Sequence, residues 1–227
     1  MPTLLKTINR LLLTSAFLLM LCAGTAHALF TTYTSEADFL AAISGMEQQT
    51  LDFEDLNAGD LINNGDSVGG ITFDYSIDNE TMMVIDIWDT TSGDNSLGLT
   101  GDDDAFLDGD VFNLAFDDSI NAIGMYFITS DLAIDDEIQL ITNIGTAYNS
   151  ADNYTLLDDG GMAYFVGLVP SDIQFSGAAV GFAPDGGSNF AYNVDDITSA
   201  AVPEPSTLVL LGAGLLLGAM VHRRRLN

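Results

Sequence analysis

Between Leu29 and Val202 the chain contains no lysine, arginine, histidine or cysteine. The full sequence of 227 residues holds 33 Asp and Glu against 5 Lys and Arg, for a formal net charge of -28. The basic residues all lie near the ends: Lys6 and Arg10, then Arg223, Arg224 and Arg225. Both histidines, His27 and His222, and the single cysteine, Cys22, are terminal too. A body without cationic side chains cannot neutralise phosphates, and its field repels a polyanion, which excludes nucleic acid as a partner. The same gap excludes Ser-His-Asp, Cys-His and Lys Schiff-base catalysis, which need a base or nucleophile the body lacks. Zinc held by His or Cys is excluded with them. Carboxylates, hydroxyls and backbone remain.

The two ends read as addresses. Lys6 and Arg10 precede an apolar run over 11–21, followed by Ala26-His27-Ala28. A positive region, an apolar region and an A-x-A site are the three parts of a secretory signal peptide, so residues 1–28 are expected to be removed by signal peptidase after Ala28, with Ala26 and Ala28 as the cleavage positions. A lipoprotein signal would use Cys22, but Leu21 stands where a small residue is wanted. The exported chain then has no cysteine, and disulfides cannot support it.

At the other end Pro203-Glu204-Pro205-Ser206 leads into an apolar run over 207–221, then His222 and three arginines. The run is shorter than the roughly 20 residues that cross a hydrocarbon core untilted, though flanking residues extend it. The arginines would stay cytoplasmic and leave the acidic body outside. Gly212, Gly214 and Gly218 look like a fragment of a dinucleotide fingerprint, but no strand precedes them; a close-packing membrane helix over 207–227 is the expectation. This three-part tail resembles the PEP-CTERM sorting signal of Gram-negative bacteria. The resemblance implies recognition and processing by an exosortase at Pro203, Glu204 and Pro205, with Arg223, Arg224 and Arg225 as the stop-transfer end. It also implies anchoring in the envelope before processing, then a place at the cell surface or in an exopolysaccharide matrix. The tail occurs on some ice-binding proteins and on many unrelated exported proteins, so it speaks of a route rather than an activity.

Residues 29–198 fit one exported domain, with 199–206 as a linker. Ser35 as N-cap, acids in the first turn, and Phe39, Leu40 and Ile43 on one face predict a short helix over 35–43. Strands are expected over 50–55, 71–76, 82–88, 111–116, 122–128, 137–142, 162–168, 172–175, 178–183 and 190–197, each rich in β-branched or aromatic residues and bounded by Gly, Asp, Asn or Ser. Ten strands and one helix imply a mainly β domain, an antiparallel β-sandwich of jelly-roll type, flanked by the signal helix and the C-terminal transmembrane helix.

Within the body, Leu51-Asp52-Phe53-Glu54 and Tyr192-Asn193-Val194-Asp195-Asp196-Ile197 are similar to the first and last strands of jelly-roll carbohydrate-binding modules. That resemblance implies a structural calcium where those strands meet, held by Glu54 and Asp196, with Asp195 next. A separate acid-rich segment, Gly101 to Asp110, places Asp102, Asp104 and Asp108 on a glycine-containing loop that suits a hard cation, or equally a solvated turn. Of the 32 acids in the body 27 are Asp, a bias shared by turn formation and compact oxygen coordination.

Trp88 with Asp86 and Asp89, or Tyr148 and Tyr154, offers the aromatic platform and polar edge that sugars need; Trp88 also reads as a core plug. The sequence therefore points to a non-enzymatic exported protein that binds glycans and is stabilised by calcium. A carboxylate-pair glycoside hydrolase is the alternative enzyme class, but with 32 acids any pairing is uninformative. Ice binding wants a regular Thr array, and Thr31, Thr32 and Thr34 cluster once without recurring.

Overall fold

A computed structural model describes residues 30–77, 79–101, 104–107, 109–171, 173–182 and 191–203. The chain runs β1 (Phe30–Tyr33), α1 (Glu36–Ala42), β2 (Glu47–Leu51), β3 (Leu61–Ile62), β4 (Ser67–Val68), β5 (Ile71–Tyr75), β6 (Met82–Ile85), β7 (Ser96–Leu99) and β8 (Phe106–Leu107). It continues through β9 (Phe112–Ile120), β10 (Ala122–Thr129), β11 (Ile138–Thr142), β12 (Thr146–Tyr148), β13 (Thr155–Leu156), β14 (Met162–Pro170), β15 (Phe175–Phe182) and β16 (Ala191–Ala201). The larger sheet has the order β1-β14-β10-β16-β7-β6-β3, with β2 and β8 also paired to β16 and β13 to β14; the smaller is β12-β11-β15-β9-β5-β4. The domain is mainly β, with antiparallel pairing throughout its named strands and one helix among the described residues.

Period-two patterning explains the smaller sheet. Ile71, Phe73 and Tyr75 of β5 and Phe112, Leu114 and Phe116 of β9 are buried, while Asp74, Asn113 and Ala115 between them are exposed. Those inward residues meet Ile123, Met125, Phe127, Tyr164 and Val166 of the larger sheet in one core. The larger sheet is different, because all eight residues of β10 are buried. Its outer face is covered by α1: Phe39 and Ile43 pack on Ala122, Tyr126, Ile128, Ala163 and Phe165. The Phe39 ring lies 5.3 Å from Phe165 and 6.0 Å from Tyr33. Gly124 and Gly167, paired across β10 and β14, leave room for these rings; a Cβ on Gly124 would lie 2.5 Å from Phe165 Cζ. Ser35 caps α1 by accepting from the Asp38 N–H at 3.4 Å, and Glu36 and Asp38 occupy the first turn.

Several expected boundaries move. The strand expected at 50–55 is β2, Glu47–Leu51; the chain turns at Phe53, whose φ of 61 is outside the strand region. Glu54 is thus on a turn. The two strands expected over 172–175 and 178–183 are replaced, among the described residues, by the single strand β15, Phe175–Phe182, with a register shift between Phe175 and Gly177. β6 stops at Ile85, which puts Trp88 in a loop rather than at a strand end. β16 extends to Ala201, and residues 199–201 of the expected linker pair with Gln49, Gln48 and Glu47 of β2. The expected signal peptide over 1–28 and the expected membrane helix and basic tail over 207–227 lie outside the described residues, among which no helix is long and apolar enough to cross a membrane.

If α1 holds the outer face closed, Phe39→Ala should cost about 3–4 kcal/mol of unfolding free energy, read from urea melts, because a fully buried ring is lost and a cavity remains. Leu40→Ala, at an exposed position on the same helix, should cost well under about 1 kcal/mol.

Candidate functional site

β16 is the most heavily paired strand of the larger sheet, flanked by β10 on one side and by β2, β7 and β8 on the other. Tyr192 and Val194 point into the core, so Ala191, Asn193 and Asp195 alternate onto the outer face. At Asp196 the alternation breaks. The register with β10 shifts between Gly124 and Tyr126, and Asp196 has a φ of 50, the mark of a bulge. The bulge lets two successive carboxylates face the same segment of chain, the loop over 88–95.

That loop closes over them with neutral donors. Asp195 Oδ2 accepts from the Thr91 N–H at 3.0 Å, the Thr91 hydroxyl at 2.8 Å and the Ser92 N–H at 3.2 Å. Asp196 Oδ1 accepts from the Ser92 hydroxyl at 2.8 Å, and Asp196 Oδ2 also lies 2.8 Å from Thr91 Oγ1. The Asp196 N–H donates to Asp195 Oδ1 at 2.8 Å. Thr91 has one hydroxyl proton and stands against two carboxyl oxygens, so the arrangement is complete only if a carboxyl supplies a proton or a cation enters. Asp195 is fully buried, and burial followed by the charge of Asp196 pushes its carboxyl up to about 7, against the lowering effect of the Thr91 hydrogen bonds. The Tyr126 phenol, hydrogen-bonded at 3.0 Å to Glu36, is raised by burial first, then by Glu36, with smaller contributions from Asp196 and Asp195.

Glu54 grips the other end of the same loop. Its Oε1 accepts from the Asp94 N–H at 3.0 Å and the Asn95 N–H at 2.7 Å, while Asn95 Nδ2 donates to the carbonyls of Phe53 and Leu56. Gly93, at φ 55, lies so close to the Glu54 carboxylate that a Cβ there would collide with it. The expected calcium residues Glu54, Asp195 and Asp196 are therefore brought to one loop, but at different points of it. No group of three acidic, His or Cys side chains suited to a metal occurs among the described residues. Asp104 is described, at φ 51 with its carbonyl accepting from Asn193 Nδ2 at 3.0 Å. Asp102 and Asp108, like Glu204, Pro205, Arg223, Arg224, Arg225, Ala26 and Ala28, lie outside the described residues. Pro203 follows β16 and is exposed.

A cleft of about 470 Å³ opens on the outer face beside this loop, lined by Trp88, Leu107, Ile128, Thr129, Asp159 and Asn193 among others. Trp88 is 47% exposed, not a core plug. It is set by a reciprocal pair: the Asp89 N–H donates to Asp159 Oδ2 at 3.1 Å and the Asp159 N–H to Asp89 Oδ2 at 2.7 Å. Tyr148 and Tyr154 are also exposed but do not line this cleft. Tyr154 packs on Tyr164 at 5.4 Å and lines a smaller cavity with Thr34, Glu36 and Tyr126. Nothing in the sequence singles out Thr91, Ser92, Asp159 and Asn193, since short polar residues of this kind recur throughout the body.

Residues 201–225 match the PEP-CTERM protein-sorting motif, so the chain carries that signal. No curated protein matches the chain. Among solved structures it is similar to the CBM22-1 xylan-binding domain from Paenibacillus barcinonensis Xyn10C, at 14% identity and a TM-score of 0.30 over 65% of this chain and 98% of that one.

The Asp195 environment has a pH signature. The folded state holds this proton more tightly than the unfolded chain, so the stability it contributes is full below about pH 4 and is lost as pH rises toward 7, by up to ~1.4 kcal/mol per unit. Thermal melts in EDTA across this window should decline for the wild type. Asp195→Asn, which keeps an acceptor and supplies a donor for Thr91, should show a clearly flatter profile.

Proposed function

We propose that this chain is a non-enzymatic protein exported across the inner membrane by its N-terminal signal and signal peptidase. On this reading an exosortase recognises the 201–225 motif while residues 207–227 anchor the chain in the envelope. The acidic body is then held at the cell surface or delivered to an exopolysaccharide matrix, where it binds glycans. The sorting motif is the observation that carries the route. The half-exposed Trp88 over an open cleft supports the glycan clause, since an indole face on an apolar floor suits the C–H face of a sugar ring. Its two-sheet body is read as a jelly-roll-type sandwich.

A non-catalytic role agrees with the placement of the acids. Asp195, the carboxyl raised toward neutrality, is sealed beneath Thr91 and Ser92 and does not line the Trp88 cleft, whereas a general acid must reach the bond it protonates.

Calcium is the proposed stabilising ion at the Asp195–Asp196 pair. The donor set suits a hard cation: two carboxylates and the Thr91 and Ser92 hydroxyls, with no internal Lys or Arg to balance the charge. The pairing of Leu97 with Val194 places Ser96 next to Asp195 across the strands. Ser96 Oγ is a buried oxygen with no hydrogen-bond partner. Glu54 would steady the loop rather than join the ion.

Three measurements test these clauses. Pro203→Ala with Pro205→Ala should leave an unprocessed, membrane-held form in an exosortase-bearing host; unchanged processing would remove the route. Millimolar calcium should raise Tm by about 3 °C or more over EDTA, and Asp196→Asn should abolish the rise. An unmoved melt removes the ion. Wild-type protein should be retained by immobilised polysaccharide and Trp88→Ala should not; equal retention removes the cleft from the reading.

A further inference from the structure

The chemistry around the Trp88 cleft limits what kind of glycan it can take. Asp159 lines it directly, and Asp89 is tied to Asp159 at its edge. The Thr129 hydroxyl on its wall is engaged with the backbone N–H and carbonyl of Asp131, and the Asn193 amide with the carbonyl of Asp104. Two carboxylates, those of Asp159 and Asp89, thus stand at or next to the opening. The sequence offers no lysine, arginine or histidine between Leu29 and Val202 to offset them. Two N–H groups at the cleft are already spent on Asp159: the Gly161 N–H donates to its Oδ1 at 2.7 Å and the Asp89 N–H to its Oδ2 at 3.1 Å.

An anionic sugar needs a cation, a helix N-terminus or free N–H donors, and this cleft presents carboxylates instead. An uncharged sugar needs the opposite. Its hydroxyls are donors, and Asp159, with lone pairs to spare on both oxygens, is a strong acceptor for them, while Trp88 and Leu107 supply an apolar face for the ring.

We infer that the cleft selects uncharged glycans and rejects those bearing carboxylates or sulfates, with Trp88 giving affinity and the aspartates giving exclusion. The inference rests on the reading of this cleft as a sugar site. Selectivity then comes from repulsion of the wrong ligand as much as from contact with the right one. Being electrostatic, the exclusion weakens as salt shortens the screening length from about 10 Å at 0.1 M toward 3 Å at 1 M.

The test uses matched ligands: a panel of neutral polysaccharides, each beside its carboxymethylated derivative, with the exported body in EDTA so that no divalent ion bridges the charges. Binding is read by affinity electrophoresis and calorimetry. The expected result is retention by at least one neutral polymer, on the order of tenfold weaker binding of its carboxymethylated form at 0.1 M salt, and a narrower gap at 0.5 M salt or in Asp159→Asn. Trp88→Ala should lose the neutral ligand while keeping the far-UV spectrum. Equal binding of both forms, or preference for the charged one, would overturn the selection and leave the sugar reading standing. Binding of neither overturns both.

Discussion

Two carboxylates set into the central strand of a sheet, in a body with no cationic side chain, impose the condition that the outer face has to meet. Charge burial is usually met with a partner charge. Here the partners are an N–H pair, two hydroxyls and one backbone amide, all but the last supplied by residues 91 and 92. Neutral donors serve a single ionised carboxylate well, but two adjacent ones leave a deficit of positive charge. Burial first, and then the neighbouring charge of Asp196, raises the Asp195 carboxyl. The strained φ at Asp196 belongs to the same device, because without the bulge the second acid would turn into the apolar core.

The loop over 88–95 is shaped by this condition along its whole length. Asp89 is pinned to Asp159, Thr91 and Ser92 to the acid pair, and Asp94 and Asn95 to Glu54. Each anchor uses a carboxylate as acceptor and a backbone N–H or hydroxyl as donor. A protein rich in Asp and empty of Lys and Arg has this means of fixing a loop, and it repeats the pattern in Asp60 and Asp66, which accept from the N–H and amide of Asn57 and Asn63.

What could be read in advance follows the strength of the local signal. Alternation in 71–76 and the capped pattern around Ser35 specify β5 and α1 because burial on one face leaves a periodic trace. β10 and β14 were recognisable as strands, but their burial on both faces was not, since it depends on Phe39 arriving from far away in sequence. β7, Ser-Leu-Gly-Leu, and the two-residue strands β3, β4, β8 and β13 carry too few side chains to show a period. Within the site, Glu54, Asp195 and Asp196 are marked by the resemblance to the first and last strands of carbohydrate-binding modules. Thr91 and Ser92 did not, because a short polar run reads alike whether it faces water or caps a buried charge.

The exposure of Trp88 follows from the same loop. As a strand residue after Ile85 it would have alternated onto a packed face; instead β6 ends, and the chain leaves the sheet to reach the acid pair on β16. The indole is carried outward by a segment whose course is dictated three residues later by Thr91. Ordering that segment costs backbone entropy of roughly 1–2 kcal/mol per residue, which the carboxylate anchors offset jointly. Loosening one anchor therefore weakens the others, and the aromatic wall of the cleft is only as fixed as the closure over Asp195 and Asp196. The acids that give the body its charge thus place the one tryptophan it has, through Asp89 and Asp159 beside it and through the pair on β16 that holds its loop.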